Sequence, residues 1–83
     1  MKLENIKYRY TISFNIDTGD NKKDYETKSY IIDRCLYMSG VNDTNNGGFG
    51  PYVTLEESSK EGIIKKTKVV IRYIKRFKGA RIE

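Results

Sequence analysis

The side chains able to act on another molecule are unevenly distributed along the 83 residues. Residues 60–83 carry Lys60, Lys65, Lys66, Lys68, Arg72, Lys75, Arg76, Lys78 and Arg81 against Glu61 and Glu83, a local balance of +7. The first 59 residues sum to −2, so the overall +5 belongs to one segment. A cationic block of this density is the footprint of an anionic partner, and nucleic acid is the commonest. Arginine grips phosphate oxygens with two parallel donors, whereas lysine acts as a point charge. Arg72 and Arg76 are therefore the candidates for fixed contacts, with Lys65, Lys66, Lys68, Lys75 and Lys78 adding attraction around them. Charge runs are more often plain solvated surface or protection of a sheet edge. This one stands out because the two acidic residues within it, Glu61 and Glu83, leave most of its charge uncompensated.

Other chemistry is limited by what is missing. Without histidine there is no Ser-His triad, and with the single Cys35 there is no usual zinc site. The glycines at 47, 48 and 50 lead into Pro51 rather than a phosphate-binding helix, and residues 17–24 lack calcium-loop spacing. Cys35 excludes an intrachain disulfide and, among apolar neighbours, is expected to be a buried small hydrophobe. Asp17-Thr18-Gly19, at the end of an alternating stretch, resembles the Asp-Thr-Gly signature of retroviral-type aspartic proteases. That resemblance implies a dimer in which two such aspartates share a proton. Asn15 stands where the family has an apolar residue, Asp20 follows the glycine, and the late apolar-apolar-Gly segment is absent. No enzyme, catalytic residue, metal or cofactor is expected.

A second likeness lies in Gly48-Phe49-Gly50-Pro51-Tyr52-Val53, which is similar to a Gly-x-Phe-Gly-Pro-Tyr stretch in the C-terminal repeats of bacterial topoisomerase I. In those repeats aromatic rings stack on single-stranded DNA, which would make Phe49 and Tyr52 stacking platforms. A ring accepts any base, so such contacts carry little sequence preference.

The elements that must position these groups follow from periodicity. Tyr8, Tyr10, Ile12, Phe14 and Ile16 alternate with polar residues over 7–17, which predicts a strand with one aromatic-rich inner face. Thr18, Gly19, Asp20 and Asn21 then read as a turn. Ile31, Ile32, Cys35 and Leu36 fall at helical spacing, predicting a helix over about 29–39. Residues 41–51, rich in asparagine and glycine, read as an irregular loop, 52–57 as a strand, and 58–62 as a hairpin connection.

The basic stretch 63–78 allows two geometries. As a strand it sets Ile63, Thr67, Val69, Ile71, Tyr73 and Phe77 against Lys66, Lys68, Arg72 and Arg76. As a helix it sets Ile63, Thr67, Val70, Ile74 and Phe77 against Lys65, Lys68, Arg72 and Lys75, with Ser58 and Glu61 available as a capping box. The recurrence of Ile, Val and Thr without Leu or Ala favours the strand.

The expected fold is α+β: one small domain over 1–83, a β-α-β-β order, and an antiparallel sheet of strands 7–17, 52–57 and 63–77 with one helix on one face. With 37% apolar residues and no tryptophan the core is thin, which leaves a homodimer open. No signal sequence, lipidation motif or membrane-length apolar run is evident, so a cytoplasmic location is expected. The leading expectation is a nucleic-acid-binding protein that uses a basic C-terminal strand for phosphate-directed contacts. The rival is an accessory protein that binds and inhibits a host nucleic-acid enzyme, presenting Asp17, Asp20, Asp24, Glu56 and Glu57 or the basic strand. The Lys, Ile, Asn and Tyr bias, typical of AT-rich coding sequence, fits a phage or mobile-element gene.

Overall fold

The structure, a computed structural model, describes residues 7–38, 41–47 and 50–83. Six elements follow in order: β1 (Tyr8–Ile16), α1 (Asn21–Leu36), β2 (Val41–Gly47), β3 (Gly50–Glu57), α2 (Lys60–Ile74) and β4 (Ala80–Ile82). The four strands form one antiparallel sheet in the order β2-β3-β1-β4. The class is α+β with a small antiparallel sheet, and the first four elements run β-α-β-β. With α2 and β4 added, the order is that of the split β-α-β, or ferredoxin-like, arrangement. Such a topology hosts many activities, so function has to come from a site.

Alternation along β1 decides which face the helices cover. Ile12, Phe14 and Ile16 are buried together with Val53 and Leu55 of β3, Ile31, Ile32 and Cys35 of α1, and Ile63, Val70 and Ile74 of α2. Arg9, Thr11 and Ser13 point to the opposite face, in register with Glu56, Thr54 and Tyr52. That face is polar and bears no helix. Arg9 donates to Glu56 through Nε (3.1 Å) and Nη2 (2.5 Å), and the Thr11 and Thr54 hydroxyls meet at 3.0 Å.

The largest departure from the sequence reading is residues 63–77, which are helix up to Ile74 and then a turn, and not strand, so two helices cover the sheet rather than one. Rotamer entropy disfavours Ile, Val and Thr in a helix by at most about 0.7 kcal/mol per residue relative to alanine. Against it stands the burial of Ile63, Val70 and Ile74, each worth roughly 1.5–3 kcal/mol. A strand would put Val70 and Ile74 among the lysines; the helix puts them in the core. Ser59, with extended backbone, caps the start by accepting the Gly62 N–H at 2.9 Å. The cap is thus one residue beyond Ser58.

Three further elements differ from expectation. Helix α1 starts at Asn21, eight residues before the predicted start, because Asp20 accepts the Lys23 N–H (3.1 Å) and caps it. Its first two turns are polar, so no apolar period marked them. Residues 41–47, read as loop, pair with β3 through the backbone as a sheet-edge strand, down to Gly47 opposite Gly50. The three-residue β4 pairs only with Phe14, Asn15 and Ile16. Between α2 and β4 the chain reverses through Gly79 at φ +79°, whose carbonyl accepts the Asp17 N–H at 3.0 Å. Phe77 binds this corner to α1, meeting Tyr73 edge-on at 5.3 Å and Tyr30 at 6.0 Å.

Candidate nucleic-acid interface

The helical geometry of α2 sorts its cations by position. Residues 3.6 per turn apart share a face, so Lys65, Lys68 and Arg72 fall within an arc of about 60°, and Lys75, the C-cap, and Arg76, in the turn that follows, extend the row past the helix end. All five are exposed, and they lie opposite Ile63, Val70 and Ile74. The row from Lys65 to Lys75 is about 15 Å long at the helical rise. Lys68, Arg72, Lys75 and Arg76, with Ile71, line a hollow of about 390 Å³. Glu61, in the first turn, is the one acidic residue of the helix.

The ion pairs among the described residues lie elsewhere. Glu56, on the helix-free face of the sheet, binds Arg9 and, at 3.5 Å, Lys7. The Arg9 hydrogen bond, more than the nearby charge, holds the Glu56 carboxyl below its usual range. Other acidic residues of the front half also have local tasks. Asp24 is buried and bound by Thr18, Asp20 caps α1, and Asp17 Oδ1 accepts the Gly19 N–H at 3.2 Å. The Asp-Thr-Gly segment is thus the turn that enters α1, with its threonine committed to Asp24.

Not every sequence-predicted site residue joins the row. Lys66 projects about 100° or more away from it and is half-buried. Lys78 lies past the helix end and lines a different hollow, with Asp20, Asp24 and Phe77. Tyr52 is in register with Ser13 on the helix-free face, across the sheet from α2. Phe49 lies outside the described residues. Of the two aromatic platforms expected from the 48–53 stretch, Tyr52 is therefore not brought together with the cations.

A different pair of rings is. Tyr8 and Tyr10 lie on the helix-bearing face of β1, as the alternation predicts, yet remain 41% and 52% exposed. Because β4 pairs no further along β1 than Phe14, the first half of β1 is a sheet edge, and α2 runs beside it. Tyr8, Tyr10, Lys60, Ile64, Thr67 and Lys68 line a groove of about 390 Å³ there. The sequence signal for it was two tyrosines at the outer end of an inner face, opposite a helix position, Ile64, that is apolar and 46% exposed. Among the described residues, no cluster of three His, Cys, Asp or Glu side chains could hold a metal ion, and no helix is long and apolar enough to cross a membrane. No protein family, curated protein or solved structure matches the chain.

Proposed function

We propose that the protein binds nucleic acid through the solvent-facing side of α2, with contacts mainly to phosphates. The observation that carries this is the row of Lys65, Lys68, Arg72, Lys75 and Arg76 on one exposed side, with both ion pairs among the described residues located on the other side of the sheet. Phosphate contacts fix position without reading bases, so sequence preference is weak. The surface offered to the phosphates is a convex helix face rather than a flat strand.

The test is binding of DNA and RNA, single- and double-stranded, across a salt series. Neutralising four to six phosphates makes affinity fall on the order of 10²–10³-fold between about 50 and 200 mM salt. Arg72→Glu is expected to weaken all four ligands together. Absence of binding at low salt, or binding indifferent to salt, removes the proposal. In that case nuclease-resistant capture of a single nucleic-acid enzyme would support an accessory, protein-binding role instead.

A further inference from the structure

The groove between β1 and α2 has three properties that together narrow the ligand. Its floor is aromatic and apolar, its rim is cationic, and it runs into the basic row without a break. Tyr8 and Tyr10 are two residues apart on one strand, so their rings leave the same face about 6.6 Å apart along the backbone. Ile64 closes the groove from the helix side. Lys60 and Lys68 stand on its rim, and Lys68 also lines the hollow with Arg72 and Lys75. Two carboxylates lie near this end of the sheet: Glu61, in the first turn of α2 and one turn before Lys65, and Glu57, opposite Tyr8. The Glu57 Oε1 is turned to the first turn of α2, 3.1 Å from where a Cβ on Gly62 would stand.

Duplex DNA hides its base faces and offers only phosphates to such a surface. An unpaired strand offers both, phosphates for the lysines and base faces for the rings. Stacking of one base on one aromatic side chain is worth roughly a tenfold gain or more in affinity, whatever the base. We infer that the Tyr8–Tyr10 groove is a stacking site that makes this protein a binder of single-stranded nucleic acid, with the strand continuing along Lys68, Arg72 and Lys75. The inference rests on the phosphate-binding reading of α2 and adds the ligand's strandedness and the residues that select it. An apolar floor rimmed by lysines is poorly suited to a second copy of this chain, whose own matching surface would bring the same cations together.

The decisive measurement is fluorescence anisotropy with labelled oligo(dT), oligo(U) and a duplex, each about 20 nucleotides long, at about 50 mM salt. Wild type, Tyr10→Ala, Tyr10→Phe and Arg72→Glu are compared, with circular dichroism confirming the fold of each. Wild type is expected to bind the single strands at least about tenfold more tightly than the duplex. Tyr10→Ala should lose on the order of tenfold on single strands while its duplex affinity stays within about twofold, and Tyr10→Phe should keep the wild-type preference. The oligo(dT) and oligo(U) arms tell DNA from RNA. Equal affinity for strand and duplex, untouched by Tyr10→Ala but lost in Arg72→Glu, overturns the stacking site and leaves the phosphate row standing. No binding to any ligand overturns both. A wild-type dimer in light scattering that Tyr10→Ala converts to monomer assigns the groove to a second copy and overturns the inference.

Discussion

The Thr18 hydroxyl donates to Asp24 Oδ1 at 2.5 Å while the Thr18 backbone N–H donates to Oδ2 at 2.9 Å, so one residue satisfies both oxygens of a buried carboxylate. This pair fastens the end of β1 to the first turn of α1. It also sets a pH dependence. The side-chain hydrogen bond from Thr18, followed by its backbone bond, holds the Asp24 carboxyl below its ordinary value of 3.8, outweighing the opposing effect of burial. A carboxylate whose folded pKa is depressed stabilises the fold above its unfolded pKa and loses that contribution as pH falls through the folded value. Thr18→Val removes the stronger donor. The acid-unfolding midpoint, followed by circular dichroism, is expected to move to higher pH. An unchanged midpoint would show that the pair does not govern acid stability.

Gly79 and Gly19 separate two kinds of glycine requirement. Both have left-handed backbone, at φ +79° and +92°. A Cβ on Gly19 would meet nothing within 4 Å, so Gly19→Ala costs only the conformational strain, about 1 kcal/mol. A Cβ on Gly79 would stand 2.7 Å from the Asp17 carbonyl oxygen, on the segment whose N–H the Gly79 carbonyl holds. Gly79→Ala is therefore expected to cost about 2–3 kcal/mol and to detach β4 first. Urea unfolding ranks the two, and hydrogen exchange at Asp17 and Glu83 reports the local loss. Equal destabilisation by the two substitutions would contradict the close approach.

How legible this fold was depended on whether an element announces itself through buried apolar side chains. β1 was readable because five apolar side chains alternate without a break, and β3 because Val53 and Leu55 are buried between Tyr52, Thr54 and Glu56. The beginning of α1 was hidden because the buried residue of its first turn is Asp24, a polar side chain that signals nothing by hydropathy. Backbone pairing alone orders β2, in a segment whose Asn, Asp and Gly content argues against a strand. For α2 the sequence carries both patterns, and rotamer preference, which favours the strand, is the smaller energy beside burial of Ile63, Val70 and Ile74. The cationic residues are visible in the sequence, but only the helix says which of them face together, and the Tyr8–Tyr10 groove depends on where β4 stops, which no local pattern shows.

Cys35 is fully buried in the core between the helices and the sheet, and burial pushes its thiol up to about 11. Only the thiolate reacts, so at pH 8 roughly one thiol in a thousand is competent even before access is considered. In the folded protein, Cys35 is expected to resist a thiol-specific disulfide reagent and to react stoichiometrically in denaturant. The rate measured at intermediate denaturant then reports opening of the core without a label. Prompt reaction under native conditions would mean that the core around Ile31 and Ile32 is open.

The strand and helix readings of residues 63–78 make opposite statements about two adjacent lysines, and so about function. On a strand, Lys66 would stand in the row with Lys68, Arg72 and Arg76, while Lys65 would face the other way. On α2, Lys65 stands in the row and Lys66 is half-buried on a different flank. Lys65→Ala should lower the slope of log affinity against log salt by about 1, the signature of one lost phosphate contact. Lys66→Ala should leave that slope unchanged, although it removes the same formal charge. A long-range field effect would reduce both affinities alike, so the difference between neighbours isolates direct contact from net charge. If Lys66→Ala changes the slope and Lys65→Ala does not, the solvent-facing arc of α2 is not the surface that meets the phosphates.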